Sequence, residues 1–249
     1  MQGWPGDKQL FVYETIDSTM AEARRQASTI SGAAWFLSYE QTAGVGRRGR
    51  AWDTQNGNFA ASLLIRPNAT PDQLALRGFV AALALYDTLV ALTSREDAFT
   101  LKWPNDVLLN GGKLAGILLE TFNEGQGNPA LIIGIGVNLI NMPAPEKLEK
   151  GFNSPKSLAL DLGLTVAPEE FLDVLEPRFV NWNDQLCTYG FAPIRNAWLA
   201  RAANIGEIIT ARMAKTILTG TFKTVDDTGA LILQAEDSQH VITAADILF

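Results

Sequence analysis

The sequence predicts an α+β fold: a mixed, largely antiparallel sheet with flanking helices, followed by a small β-barrel or sandwich. Three observations carry this. Apolar β-rich runs alternate with segments of helical composition through about residue 200, the pattern of one layered domain. Asn110-Gly111-Gly112 joins two apolar runs as a hairpin turn, which makes its flanking strands antiparallel. From Gly206 the texture changes to short β-rich runs broken by Asp226-Asp227-Thr228-Gly229. The expected division is a domain over residues 1–200 and a smaller one over 201–249, joined at about Arg201 by a packed junction.

Each element follows from local signals. Phe11 to Glu14 reads as a strand entering a turn at Asp17-Ser18-Thr19, and Met20 to Arg25 as a helix capped by Asp17 or Ser18. Trp35 to Tyr39 and Phe59 to Ile65 read as strands on either side of a Gly/Arg loop. Pro71, at home in a first helical turn, opens a long helix through about Leu92. Phe99 to Trp103, Val107 to Leu109, Leu114 to Glu120 and Ala130 to Leu139 read as further strands. Helical segments around Pro168 to Tyr189 and Pro193 to Ala202 close the first domain. In the second, strands are expected over Ile208 to Met213, Thr216 to Val225 and Leu231 to Gln234.

Composition narrows the function classes. With 249 residues and 47% hydrophobic content, the chain can bury a substantial core. A formal charge of −7 argues against generalised polyanion binding, so any arginine cluster is a local site. The single Cys187 excludes an internal disulfide framework, and the N-terminus has no secretory signal pattern; we read a cytoplasmic protein. The apolar stretch from Phe79 to Leu92 contains Asp87 and is short for a bilayer, so it reads as a core helix and no membrane is expected.

The chemistry concentrates in the run Gln41-Thr42-Ala43-Gly44-Val45-Gly46-Arg47-Arg48-Gly49-Arg50-Ala51-Trp52. Glycines let a backbone approach a ligand, guanidiniums fork onto phosphate or carboxylate oxygens, and an indole offers a face for stacking. Its arginines repel one another until an anion arrives. Further along come Lys102-Trp103-Pro104-Asn105-Asp106, Lys113-Leu114-Ala115-Gly116-Ile117-Leu118-Leu119-Glu120 and Gly134-Ile135-Gly136-Val137-Asn138. The residues alone leave alternatives open. Ser18 and Thr19 suit a helix cap as well as a ligand, Asn105-Asp106 suits a turn, and Lys102 and Trp103 suit structural as well as catalytic roles. His240 stands without a neighbouring Cys or second His, which leaves zinc or a Ser-His-Asp triad unsupported.

These motifs, in this order with Asp17-Ser18-Thr19 ahead of them, resemble the biotin protein ligases over nearly the whole chain. The resemblance implies a catalytic domain like that of class II aminoacyl-tRNA synthetases and a C-terminal barrel like the Src-homology-3 fold. It implies ATP and biotin as substrates and Mg²⁺ as cofactor, giving biotinyl-5′-adenylate. The acyl group would then pass to a lysine of a biotin carboxyl carrier protein domain. Ser18, Thr19 and Gln41 would bind the ureido ring, with Gly44, Val45 and Gly46 lining the ligand through their backbone. Gly116, Gly134 and Gly136 would leave room for the bicyclic ring and chain. Arg47 and Arg50 would hold phosphates, Trp52 would cover the adenine, and Lys113 would sit between the biotin carboxylate and the α-phosphate as a catalytic residue with Arg47. Asn105, Asp106 and Asn138 would serve the nucleotide, Asp106 and Asn138 also as Mg²⁺ ligands.

Two positions depart from the family pattern: Val45 stands where arginine is usual and Met20 where asparagine is frequent. Valine preserves function only if that position works through its amide. The competing readings are a lipoate or octanoate ligase or transferase of the same fold, a biotin-responsive repressor, and a nucleotide-binding module without catalysis. The few residues ahead of the first strand leave no room for a helix pair that reads DNA, so no sequence-specific DNA binding is expected. The resemblance admits a homodimer.

Overall fold

A computed structural model describes residues 9–123, 129–143, 153–236 and 238–249. Seven strands form the main sheet: β1 (Gln9–Ile16), β2 (Ala34–Gln41), β3 (Phe59–Ile65), β4 (Phe99–Lys102), β5 (Asp106–Leu109), β6 (Gly112–Phe122) and β7 (Ala130–Val137). Their order is β1-β2-β3-β7-β6-β5-β4. Only β1 and β2 are parallel; the other pairs are antiparallel, so the sheet is mixed as the sequence predicts.

Both faces of the central strands are buried, which is why Phe59–Ile65 and Ala130–Val137 read as continuous apolar runs rather than alternating ones. Leu63, Ile133 and Ile135 face the large core, built with α3 (Arg77–Thr93) and α5 (Pro168–Tyr189). Leu64 and Ile132, one position along, face the opposite way and pack under Met20 and Ala23 of α1 (Thr19–Gln26). The second face is covered by α1 only in part, and the site opens beyond that cover.

The long helix expected from Pro71 is divided. Thr70 and Gln73 form a capping box that starts α2 (Pro71–Ala75), and Leu76 separates it from α3. Together they are long and apolar enough by composition to cross a membrane, yet most of α3 is buried against the sheet. The strands ending at Lys102 and Val137 are shorter than the expected ends at Trp103 and Leu139, and α6 spans Phe191–Leu199 rather than 193–202. A short helix, α4 (Leu158–Leu162), capped by Ser157, carries no strong sequence signal.

Five antiparallel strands make the C-terminal, barrel-like unit: β8 (Ile208–Arg212), β9 (Ile217–Val225), β10 (Leu231–Ala235), β11 (Ser238–Ile242) and β12 (Asp246–Leu248). The last two were not anticipated. The unit is stitched to the main sheet: Leu101 N–H donates to Arg201 O at 2.8 Å and Ala203 N–H to Leu101 O at 2.8 Å. Trp103 Nε1 donates to Gly229 O at 3.0 Å, so this buried indole joins the two units.

Candidate active site

Register builds the floor of the site. Cross-strand partners share a face of a sheet, and Ala60, Gly136, Gly116 and Asp106 are paired in sequence across β3, β7, β6 and β5. One row therefore runs from an alanine through two glycines to a carboxylate. The neighbouring row places Ser62 beside Gly134. A Cβ on Gly136 would collide with the Trp52 indole, and one on Gly134 would meet Met20 Sδ at 2.6 Å. The glycines let the Trp52 indole and the Met20 side chain lie directly on this stretch of sheet.

A β-bulge aims Lys113. The β5–β6 register shifts between Val107 and Leu108, so that Leu108 pairs with Lys113 rather than Leu114. Leu114 and Ala115 both join the large core, and Lys113 is turned to the glycine face, with Nζ 3.5 Å from where a Gly116 Cβ would sit. Its Nζ lies 2.7 Å from Asp106 Oδ1 and 5.7 Å from the Trp52 ring centroid.

At the other end of the row lies a polar knot. Thr19 N–H and Oγ1 donate to Gln41 Oε1 at 2.8 and 3.1 Å, Thr19 Oγ1 meets Ser62 Oγ at 2.8 Å, and Gln41 Nε2 donates to Thr54 Oγ1 at 2.9 Å. Ser18 caps α1, accepting from Ala21 N–H at 3.5 Å, and also lines the cavity.

The Gly/Arg loop closes between Gln41 and Thr54, which form an isolated bridge, and folds as a small hairpin in which Val45 pairs with Ala51. Val45 is 48% exposed; the loop is held by its neighbours' backbone, Gly46 N–H donating to Arg50 O at 2.7 Å and Trp52 N–H to Gly44 O at 2.8 Å. Arg47 Nη1 points to Asn105 Oδ1 at 3.4 Å and Ala245 O at 3.3 Å. Burial pushes the Arg47 guanidinium down from its ordinary value, while the Asp246 and Asp106 charges work to raise it. Asn105 in turn donates to Ile117 O, fixing the arginine's contact to β6.

All of the residues singled out from the sequence, Ser18, Thr19, Gln41, Val45, Gly46, Arg47, Arg50, Trp52, Asn105, Asp106, Lys113, Gly116, Gly134, Gly136 and Asn138, line one cavity of about 670 Å³. Trp52, expected over the adenine, lies against Gly116 and Gly136, two of the three glycines expected beside the bicyclic ring and chain. Asn138 is buried, and its Nδ2 donates to Lys156 O at 3.0 Å. Lys102 is buried at the rim, hydrogen-bonded to Asn153, with Nζ 4.6 Å from the Phe249 ring centroid. Burial pushes its ammonium down to about 8.

The chain matches known proteins over both units. The model of the Biotin/lipoate A/B protein ligase family matches residues 12–138, and that of the biotin protein ligase C-terminal domain matches 205–249. A biotin--[acetyl-CoA-carboxylase] ligase of Paracoccus denitrificans is 52% identical, covering 94% of this chain and 97% of that protein. The chain belongs to the biotin protein ligase family. A ligase of the same name from Mycobacterium tuberculosis is 32% identical over 99% of this chain and 90% of its own length. The fold is similar to that of the Aquifex aeolicus biotin protein ligase solved with biotin and ATP, with a TM-score of 0.82 at 24% identity, covering 96% and 97% of the two chains.

Several residues of this biotin protein ligase family site escaped the sequence reading. Ser62, a polar residue in a fully buried strand, carried a usable signal, because a buried hydroxyl needs a partner. Asp246 carried none: it sits in an ordinary-looking C-terminal strand yet reaches the Gly/Arg loop.

Proposed function

We propose that this chain activates biotin with ATP and transfers it to a lysine of a biotin carboxyl carrier protein domain, as a cytoplasmic enzyme. The observation that carries this is the polarity of the cavity. A closed hydrogen-bonding end, Thr19, Gln41 and Ser18, lies across the glycine-bearing strands from a cationic end, Lys113 and Arg47. Biotin has that form: a ureido ring needing donors and acceptors, an apolar bicycle and chain, and a carboxylate. A lipoyl dithiolane would leave the Thr19–Gln41 knot without use, which disfavours the lipoate or octanoate alternative. The similarity to the Paracoccus ligase supports the same reading.

In the first step a biotin carboxylate oxygen attacks the α-phosphorus, the bond to the bridging oxygen breaks and pyrophosphate leaves. Two anions must approach, and Lys113 and Arg47 offset their repulsion at the meeting point. Lys113 is suited to this because its ammonium sits on a flexible stem and exchanges partners readily. In the second step the carrier amine attacks the acyl carbon, AMP departs and the amine loses a proton. Trp52, which lies on Gly116 and Gly136 here, would swing off these glycines to admit the acyl chain and then cover it, excluding water that would hydrolyse the adenylate.

A metal has a place here, though no cage. Asp106 Oδ1 is buried and has no hydrogen bond, only the Lys113 ion pair, so it is an acceptor short of a partner. Among the described residues no group of three His, Cys, Asp or Glu side chains is placed to hold a metal. That suits Mg²⁺ bound chiefly to ATP phosphates and neutralising their charge, with Asp106 as its protein ligand. Asn138 donates Nδ2 to the Lys156 carbonyl, and its Oδ1 would be the atom to serve the metal beside Asp106.

Incubation with ATP, Mg²⁺, labelled biotin and a carrier domain tests the proposal. Labelled carrier lysine is expected; exchange of pyrophosphate into ATP driven by lipoate and not by biotin would overturn it.

A further inference from the structure

The arginine loop already holds an anion, and the anion comes from the other end of the chain. Asp246 Oδ2 accepts from Arg48 Nη1 at 2.8 Å and from Arg50 Nη2 at 2.6 Å, and its Oδ1 accepts from Arg50 Nη1 at 3.4 Å. The adjacent Ala245 carbonyl accepts from Arg47. The Asp246 side chain is only 4% exposed. Burial works to raise its pKa, but the hydrogen bond from Arg50 and the charges of Arg50, Arg48 and Arg47 prevail and hold it below its ordinary value.

We infer that Asp246 is a positioning residue for adenylation: its carboxylate, delivered by β12 of the C-terminal unit, gathers Arg48 and Arg50 and so presets Arg47 for the ATP phosphates. The inference rests on the phosphate-binding role proposed above for this loop. Three guanidiniums close together repel, and a glycine-rich hairpin resists ordering. A fixed buried carboxylate offsets both costs before the nucleotide arrives. Within the turn Arg48 adopts φ 57°, a left-handed conformation uncommon for arginine.

The division of labour among the arginines decides between positioning and competition. Arg50 gives both Nη atoms to Asp246, and Arg48 gives one. Arg47, which lines the cavity beside Lys113, meets neutral partners at 3.3–3.4 Å, weak contacts that a phosphate displaces at little cost. The carboxylate therefore occupies Arg48 and, at the cavity wall, Arg50, and leaves Arg47 to the substrate.

The test uses the full chain and the variants Asp246→Asn, Asp246→Glu and Arg48→Gln. Trypsin cleavage after Arg48 and Arg50, without ligands, should accelerate roughly tenfold in Asp246→Asn, the scale of one charge-assisted hydrogen bond, with partial recovery in Asp246→Glu. In biotin-dependent ATP–pyrophosphate exchange, the KM for ATP should rise about tenfold in Asp246→Asn, and in the same direction in Arg48→Gln, while the KM for biotin stays within about threefold. Unchanged cleavage in Asp246→Asn would overturn the inference, and so would a lowered KM for ATP, the mark of a carboxylate that competes with phosphate. Proteolysis needs no substrate, so it judges the contact even if the ligase reading fails.

Discussion

Lys113 Nζ lies 2.7 Å from Asp106 Oδ1 on the face of the sheet that carries the row of glycines. The pair is an ion pair without hydrogen-bond geometry, so neither partner is locked, and the ammonium can leave the carboxylate for charge developing on a substrate. Lys113→Ala should lower ATP–pyrophosphate exchange by about 10²–10³-fold, the scale for losing one preorganised donor. The melting temperature should barely move, because a partly exposed pair contributes roughly 0–1 kcal/mol. Equal losses of rate and stability would make the lysine structural.

Arg47 lines the cavity, and its hydrogen bonds among the described residues are the long ones to Asn105 and Ala245. Arg47→Gly should weaken retention of the adenylate more than its formation. Activated biotin then escapes and labels bystander lysines, which mass spectrometry of a mixture of the variant with an unrelated lysine-rich protein would detect. Labelling confined to the carrier would refute that role.

Gly136→Ala places a methyl group against the Trp52 indole. Within a strand, alanine in place of glycine otherwise stabilises by about 0.5–1 kcal/mol through the unfolded state. The variant should therefore fold at least as an intact domain yet raise the KM for biotin by roughly tenfold, since the indole must move into space that the ligand needs. Adding Trp52→Ala should recover part of the biotin affinity if this clash is the cause.

Val45→Arg should change kcat/KM by less than about threefold, because surface substitutions away from special contacts have small effects. The Val45 side chain is half exposed, and the hairpin in which it faces Ala51 is held by the backbone bonds Gly46 to Arg50 and Trp52 to Gly44. A large gain in ATP affinity would show that the guanidinium usual in the family acts directly.

Lys102 gives the site a pH dependence. Its ammonium, pushed down to about 8 by burial, keeps an ordinary value near 10.5 in the unfolded chain. Between those values the unfolded chain holds a proton that the folded one has released, so this group makes stability rise with pH across that window, and the burial cost is complete below about 8. Urea denaturation should show wild-type stability gaining on Lys102→Met from pH 8 to 10.5. If the rim position of Lys102 serves ATP, kcat/KM for ATP should fall over the same range as its positive charge is lost, and Lys102→Arg should flatten that fall. Parallel profiles for all three proteins would exclude a titrating Lys102.

Much of the fold was legible because its signals are local. Phe59–Ile65 is an unbroken apolar run, Asn110-Gly111 is a turn that favours positive φ, and Pro71 follows a capping threonine. Elements whose residues lack such marks, α4, β11 and β12, were missed. The break at Leu76 was missed for a different reason: apolar composition continues across it, so only packing reveals where one helix ends and the next begins.

By itself the sequence determined the kinds of chemistry available: guanidiniums on a glycine loop, a lysine beside a hairpin, strand glycines that forgo side chains, and hydroxyls at the start of a helix. These are properties of residue type and near neighbours. The tertiary structure alone decided their arrangement. Register set Gly136, Gly116 and Asp106 in one row, and a one-residue bulge at Leu114 turned Lys113 from the core to the cavity. Chain closure brought Asp246 to Arg48 and Arg50 across 198 and 196 positions. Pairing register reverses every side chain when it slips by one, and long-range contacts depend on where two packed units meet, so neither is written in any short stretch of residues.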